Sequence, residues 1–470
     1  MSAQRLYQPR KAQASPLYRI LQDWAEAFLA RNSDPGEESA GGRIAPFVER
    51  SLRAFLECGV PRFGVVRFRC KSCGRSLFVP FSCKKRHACP NCDAKRSLLT
   101  TAHAVEDLLP QVPYRQWVLT LPKRLRFFVH RDPRLVGQIS KILTAVLTSF
   151  YREQAGSSPD AAPALLTFVQ RFGSSINLHI HWHLVLSDGT FALENGRLSF
   201  QQASPPSQEQ VARLTQRLRE GILSRLLKTR AIPEETAREL SQRERSGFSL
   251  DASVFVDADD RAALGRLLSY CTRPAIAVNR LQYLPDLERV RYRPIKGRDE
   301  ILDWTPLEFL SRLTPIIPPP YLNLTRYAGA LGPRSRLRPA VCAATQAGAS
   351  TAELLGGWRP PLLPPGVKAL GRRLASASRR AWALCLARVF EVYPLLCSAC
   401  GIEMRPVAAI TLDSEITRLL VHLDISPDFP INKPARSPPL PMVMEGSQID
   451  PGVDRWDGID SPGVGGWTSS

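Results

Sequence analysis

Three of the seven histidines in the chain fall on alternate positions of one stretch, "INLHIHWHLVLSDG" at 176–189. In a β-strand successive side chains point to opposite faces, and each residue advances the chain by about 3.3 Å. Ile176, Leu178, Ile180, Trp182, Leu184 and Leu186 then share one face. Asn177, His179, His181, His183, Val185 and Ser187 share the other, and Asp188-Gly189 supplies a turn. The apolar face packs on a core, while the imidazole face looks outward into a cleft or solvent. Neighbours on one face repeat at about 7 Å, so neutral imidazoles can converge on one cation or phosphate, and His is the commonest metal ligand. An edge strand showing polar groups to water is the plain alternative. Three histidines in register on an otherwise apolar strand point to a site.

A nucleophile is available in "GRLLSYCTRP" at 265–274. Helical spacing puts Arg266, Tyr270 and Arg273 on one stripe and Leu264, Leu267, Leu268 and Cys271 on the opposite, buried side. Arginines beside a tyrosine bind phosphate oxygens and favour the phenolate, which suits attack on phosphorus. Taken alone, the pattern fits a marginal tyrosine among solvated arginines better. A metal site on the histidine face would change its meaning, because a polarised phosphate could then be attacked by the phenol.

The third group is thiol. Cys70-x2-Cys73 and Cys89-x2-Cys92 stand fifteen residues apart, a zinc-ribbon spacing that aims four thiolates at one tetrahedral ion. Cys58, Cys83 and His87 are left over, either for a second site or as small core residues, and Cys397-x2-Cys400 has no partner visible in the sequence. Arg67, Arg69, Lys71, Arg75, Lys84, Lys85, Arg86, Lys95 and Arg96 crowd around the paired cysteines, a density that suits phosphate contact.

Bulk properties agree with a polyanionic partner. The 470 residues carry 63 Lys+Arg against 43 Asp+Glu, a net charge of +20. Neither a signal peptide nor an 18-residue apolar run is visible, so the expectation is a soluble, cytoplasmic protein without a membrane partner. In that compartment eleven cysteines favour metal over disulfides.

The elements that must position these groups are legible in outline. "YRQWVLTLP" reads as a buried strand, "PALLTFVQRF" as an antiparallel neighbour of the histidine strand, and "DPRLVGQISKILTAVLTSFYREQ" as a helix. Val211, Leu214, Leu218, Ile222 and Leu226 make one face of a helix over 207–228. "DADDRAALGRLLSYCTRP" is a capped helix stopped by Pro274. "LYRILQDWAEAFLA" and "RRAWALCLARVFEV" are further helices, and 315–365 is proline-rich. The stretch 426–470 holds few large apolar residues and reads as disordered. The fold class from this pass is α+β with antiparallel neighbours.

The combination resembles the insertion sequence 91 family of rolling-circle transposases, in particular its common-region (ISCR) branch, which belongs to the His-hydrophobe-His (HUH) endonucleases. The segments that carry the likeness are "FSCKKRHACPNC", "QRFGSSINLHIHWHLVLSDG", "LLSYCTRPAIAVNRL", "PLEFLSRLTPIIPPPYLNLTRY" and "FEVYPLLCSACGIEMRPVAAI", in this order over most of 44–425. His181-Trp182-His183 matches the HUH motif, His179 an extra upstream histidine of some members, and Tyr270 the catalytic tyrosine. The resemblance implies an HUH-type antiparallel sheet flanked by helices and preceded by a small zinc-ribbon domain. It also implies Mg²⁺ or Mn²⁺ held by His181, His183 and a third ligand, for which Gln170, Asp251 and His179 are the choices. Tyr270 would attack single-stranded DNA at the element's ends, leaving a 5′-phosphotyrosine and a free 3′-OH, with Zn²⁺ structural in the basic domain.

Arg266 occupies the position of the second tyrosine of two-tyrosine members, which points to the single-tyrosine branch unless Tyr283 or Tyr292 serves. Relatives often show histidines where this chain has Asp251, Ala328 and a residue near Arg334. The implied organisation is an N-terminal helical segment (1–43), a zinc-binding DNA-recognition domain (44–105) and an HUH catalytic domain (106–345). A C-terminal helical region with the last Cys-x2-Cys (346–425) and the tail (426–470) complete it. A zinc-ribbon DNA-binding protein without catalysis, or a metal-dependent nuclease using water, are the rival readings.

Overall fold

The computed structural model describes residues 12–32, 44–243, 247–294, 300–356, 397, 399–402 and 404–426. The expected helix over 379–392 and the tail from 427 onward lie outside the described residues. So does the basic stretch at the start of the chain.

The first helices, α1 (Pro16–Arg31) and α2 (Pro46–Leu56), each open on a proline in the first turn, where the missing N–H costs nothing. Strands β1 (Val65–Arg69) and β2 (Ser76–Pro80) pair antiparallel, and α3 (Pro90–His103) follows, with Cys89 at its N-cap. The larger unit begins with β3 (Tyr114–Thr120), α4 (Lys123–Arg131) and α5 (Arg134–Gln154). It continues through β4 (Ala164–Phe172), the histidine strand β5 (Leu178–Ser187) and the hairpin β6 (Gly189–Glu194)–β7 (Arg197–Gln202). Helices α6 (Gln208–Lys228) and α7 (Glu234–Gln242), short strands β8 (Ser249–Asp251) and β9 (Phe255–Val256), and α8 (Arg261–Cys271) come next. Then follow β10 (Leu281–Leu284), β11 (Arg289–Tyr292), β12 (Leu302–Trp304), α9 (Pro306–Leu313), β13 (Thr325–Gly329), α10 (Arg338–Gln346) and α11 (Thr351–Leu355). Strand β14 (Arg405–Ile410) and α12 (Asp413–His422) end the described chain.

The main sheet runs β13-β4-β5-β3-β8, with β9 also on β3, and its pairs are antiparallel. The histidine strand is therefore central, not an edge. Alternation along it holds as expected. Ile180, Trp182, Leu184 and Leu186 are buried against residues of α4, α5, α6 and α7, and the Trp182 indole N–H donates to Ser140 Oγ at 3.0 Å. Side chains of this kind contribute roughly 1.5–3 kcal/mol each when fully buried.

The other face differs from the expectation of an open imidazole surface. Leu264, Leu267, Leu268 and Cys271 of α8 pack into a second core layer with Leu166, Phe168 and Val185, so α8 roofs that side of the sheet. His179, His181 and His183 are consequently only 7%, 6% and 1% exposed. Asp188-Gly189 also departs from the simple turn. The chain bends there into the β6–β7 hairpin, and the Asp188 carboxylate is buried against Arg115, which donates from Nε (2.9 Å) and Nη2 (2.8 Å). A charge taken from water needs such a partner.

A third core joins α1, α2 and α9 to the small sheet β10-β11-β12 and to Cys58, Cys89 and Cys92. The segment 1–43 thus contributes α1 to the same core as the cysteines. A boundary at 346 likewise separates elements that the structure joins, because β14 pairs with β1 and completes the sheet β14-β1-β2. Among the described residues no helix is long and apolar enough to cross a membrane.

Candidate functional site

The histidine rows are set by register. Gln170 on β4, His181 and Thr120 on β3 face one another across the sheet; Phe168, His183 and Val118 form the next row, with Asp251 beyond. Residues directly opposite in an antiparallel pair have Cβ atoms about 4.5–5.5 Å apart. Successive imidazoles stack along β5 with ring centroids 4.7 Å (His179–His181) and 4.8 Å (His181–His183) apart.

Helix α8 brings the tyrosine to this row. The Asp260 carboxylate accepts from the Ala263 N–H at 2.7 Å and starts the helix, and Gln170 Nε2 donates to the carbonyls of Tyr270 (3.2 Å) and Cys271 (3.0 Å) at its end. The Tyr270 ring meets His183 edge-on, centroids 5.6 Å apart at 87°. The Arg273 guanidinium lies 5.4 Å from the Tyr270 ring and 5.0 Å from Phe172. Arg266 is placed elsewhere: its guanidinium points to Asp260 at 3.8 Å and is largely exposed. Tyr283 is committed to α1, accepting from Trp24 Nε1 at 2.9 Å and donating to Asp23 at 3.0 Å. Tyr292 is buried in the same core, and burial raises its phenol above the ordinary value.

Several observations bear on a cation here. His181 Nδ1–H donates to the His179 carbonyl at 3.0 Å, since a carbonyl only accepts. Burial, reinforced by the His181 ring, holds His179 and His183 well below the ordinary imidazole range, so both are neutral as ligands must be. His179 Nε2, His183 Nε2 and Gln170 Oε1 are buried without a hydrogen-bond partner among the described residues. These are atoms of the type that ligate a divalent ion, and Gln170 Oε1 is among them while the Asp251 carboxylate accepts from Ser253 N (3.3 Å) and Oγ (3.0 Å). The side-chain nitrogens do not form a cluster as compact as the cysteine sets described below.

Glutamine 116, which the sequence pattern does not mark, supports His183. Its amide nitrogen lies 2.9 Å from His183 Nδ1, while Gln116 Oε1 is buried without a partner. Turning the amide by half a rotation places Oε1 on an Nδ1–H and frees the Nε2 lone pair for a ligand. In the reading proposed below, where the row holds a divalent ion, Gln116→Leu is expected to weaken Mn²⁺ binding about 10- to 100-fold, as loss of a ligand's outer hydrogen bond does. Titration followed by Mn²⁺ electron paramagnetic resonance checks this; unchanged affinity would leave Gln116 a packing residue.

The cysteines group differently from their order in the chain. The expected set of Cys70, Cys73, Cys89 and Cys92 is not brought together. Cys89 and Cys92 instead stand with Cys58 and Cys83, and Cys70 and Cys73 with Cys397 and Cys400, the ligand atoms of each set lying within 4.8 Å of one another. In the first set the Sγ atoms of the pairs 58/92, 83/92 and 58/89 are each 3.7 Å apart. Four sulfurs around zinc at about 2.3 Å have tetrahedral edges of about 3.8 Å, so the thiols fit the ion. His87 takes no part. Its Nδ1–H donates to the Ile316 carbonyl at 3.2 Å and its ring meets Phe172 edge-on.

Burial pushes His87 down to about 3. The unfolded chain protonates it below about 6.5, so between these values unfolding takes up a proton and stability falls with falling pH. Relative to His87→Gln, the wild type should lose about 1.4 kcal/mol between pH 7.5 and 5.5. Asp93, raised to about 7 by burial, shifts in the opposite sense in both chains and cancels from the difference. Paired urea titrations at the two pH values measure it; parallel curves would contradict a buried neutral imidazole.

The zinc unit and the tyrosine helix touch. Thr272 and Ser97 share a hydrogen bond of 2.7 Å, and Ser269 and Thr101 one of 3.5 Å, which fixes α3 against α8. Between them opens a cleft of about 370 Å³ lined in part by Arg86, Arg96, Arg273, Gln170, Phe172 and Asn323. Arg86 is turned inward to donate to the carbonyls of Pro319 and Leu322, so not every basic residue of the cluster faces a ligand.

Residues 20–121, which contain α2, β1, β2, α3 and six cysteines, match the family model described as "Transposase zinc-binding domain". Residues 165–338, from β4 past α8 and β13, match the family model described as "Putative transposase". Over these two segments the chain is similar to transposases. The histidine strand and Tyr270 lie inside the second match and the first thiol set inside the first; Cys397 and Cys400 lie outside both. No curated protein and no solved structure matches the chain. Similarity to transposases supports DNA as the partner and DNA cutting as the activity, and the thiol set inside the zinc-binding match supports structural zinc.

Proposed function

We propose that this transposase is an HUH-type strand transferase of the single-tyrosine, ISCR-like kind. In this reading Tyr270 nicks single-stranded DNA at the ends of an insertion element and holds the cut strand during rolling-circle transposition. The observation that carries the reading is the edge-on contact of Tyr270 with His183 at 5.6 Å, a tyrosine set directly on the row of histidines.

His181 and His183, with Gln170 or His179 as the third donor, would hold a divalent ion such as Mg²⁺ or Mn²⁺, which supplies a Lewis acid for the phosphate oxygens. Tyr270 is positioned by the two hydrogen bonds from Gln170 to the end of its helix. Arg273, over the Tyr270 ring, stabilises the phenolate and offers donors to a phosphate. The tyrosyl oxygen bonds to phosphorus, the bond from phosphorus to the 3′ oxygen breaks, and that oxygen leaves with a proton as a 3′-OH. One phosphodiester replaces another, so rejoining to a new 3′-OH needs no ATP. The cleft beside Arg273 and Gln170 has room for a nucleotide, and the basic α3 face lies at its edge.

Single-stranded oligonucleotides bearing the element's presumed end, incubated with the protein and Mn²⁺, test the proposal on a denaturing gel. A 3′-labelled strand should travel with the protein, and a 5′-labelled strand should yield a short fragment that a polymerase can extend. Two free fragments would favour a nuclease using water, and binding without cleavage a DNA-binding protein alone.

A further inference from the structure

We infer that Cys70, Cys73, Cys397 and Cys400 hold a second structural zinc ion, which clasps the distal segment 397–426 onto the N-terminal ribbon. The inference does not depend on the strand-cleavage reading. It starts from two turns of the same construction. "CKSCG" at 70–74 and "CSACG" at 397–401 share the pattern Cys-x2-Cys-Gly. In the first, Gly74 N–H donates to the Cys70 carbonyl (3.1 Å) and Cys70 N–H to the Arg75 carbonyl (2.9 Å). In the second, Gly401 N–H donates to Cys397 (2.8 Å) and Cys397 N–H to Ile402 (2.8 Å). Both glycines sit in the left-handed region, at φ +72° and +64°, where a side chain is disfavoured. Each turn presents its two thiols on one side, and the two turns face each other.

The sulfur spacing suits a single tetrahedral ion. Cys73 Sγ lies 3.5 Å from Cys397 Sγ, which lies 3.8 Å from Cys400 Sγ. The tetrahedral edge around a zinc ion is about 3.8 Å. A donor set of four thiolates and no oxygen selects a soft, tetrahedral ion over Mg²⁺ or Ca²⁺.

The surroundings require such a tie. β1 runs into the first turn and β14 out of the second, and they pair from Val65↔Ile410 to Arg69↔Arg405. Arg62 and Asp413 form an ion pair beyond the strand ends. Among the described residues the buried cluster that holds these thiols is small, Phe68, Cys70, Cys397 and Met404, with Val66, Leu77 and Val79 half-buried around it. A cluster this small does not hold three strands by apolar burial, and small units of this kind rely on a metal.

The test uses the full-length chain. Elemental analysis should find two zinc ions per wild-type chain and one in the double variant Cys397→Ser/Cys400→Ser. Replacement of zinc by Co²⁺ or Cd²⁺ gives a count that needs no variant. The thiolate-to-metal charge-transfer absorbance of the wild type should correspond to eight thiolates per chain, and in the double variant it should fall by about half. One ion and four thiolates in the wild type, or two ions retained by the double variant, would overturn the inference.

Discussion

On the proposed mechanism, Tyr270→Phe is expected to leave the chain folded and bound to DNA while covalent attachment and cleavage fall by on the order of 10³-fold or more, as for removal of a nucleophile. The substitution deletes one oxygen and keeps the ring, so the edge-on contact with His183 and the Arg273 cation over the ring both survive. The helix keeps its attachments, because Gln170 holds it through the carbonyls of residues 270 and 271 rather than through the phenol. The readouts are the covalent band on a denaturing gel, retention of labelled oligonucleotide on a filter, and the circular dichroism of the purified variant. Binding lost in step with cleavage would make Tyr270 a DNA contact, and cleavage that persists would assign the attack to water.

The second large effect is on the fold. Cys92→Ser removes one thiolate from the set with Cys58, Cys83 and Cys89, and release of one zinc ion per chain is expected. Structural zinc in small domains contributes about 10–16 kcal/mol of folding free energy, so even a fraction of that lost here exceeds most point substitutions. Cys58, Cys89 and Cys92 belong to the core shared by α1, α2 and α9, and α3 begins at Cys89, so the loss should open this whole region to protease. The Ser97–Thr272 and Thr101–Ser269 contacts carry it to α8, so adduct formation should fall with Tyr270 still present. Cys342→Ser, which alters a half-buried thiol outside both sets, is the control and should change neither metal content nor cleavage. Full zinc content in Cys92→Ser would remove the cluster from the list of metal sites.

What could be read from the chain alone was whatever is local and periodic. The two-residue alternation of 178–187, the Asp260 cap and the leucine stripe of 264–268 reappear as β5 and α8. Contacts that close over long distances were not legible. Nearest-neighbour spacing joins Cys70-x2-Cys73 to Cys89-x2-Cys92, whereas sheet pairing of β1 with β14 brings Cys397 and Cys400 to the first pair. The repeated Cys-x2-Cys-Gly is the one local sign of that match, since Cys89-x2-Cys92 is followed by Asp93. The burial of the imidazole face was hidden for a related reason. Its cover comes from the apolar side of α8, more than seventy residues away along the chain. Gln116 carried no pattern because a lone amide on a strand has no period, and Gln170 entered only as one of three choices through the resemblance; the register of β3, β4 and β5 makes them neighbours of His183 and His181.

The pairing of β1 with β14 also sets an order of events during synthesis. Cys73 and Cys397 are 324 positions apart. At about 5–20 residues per second, a ribosome that has made the first of these needs about 15–65 seconds to deliver the second. For that interval β1 has one edge unpaired, and an open edge is a place where strands of other chains can add. Nascent copies on one messenger would then be exposed to one another at this edge, until each receives its distant partner strand.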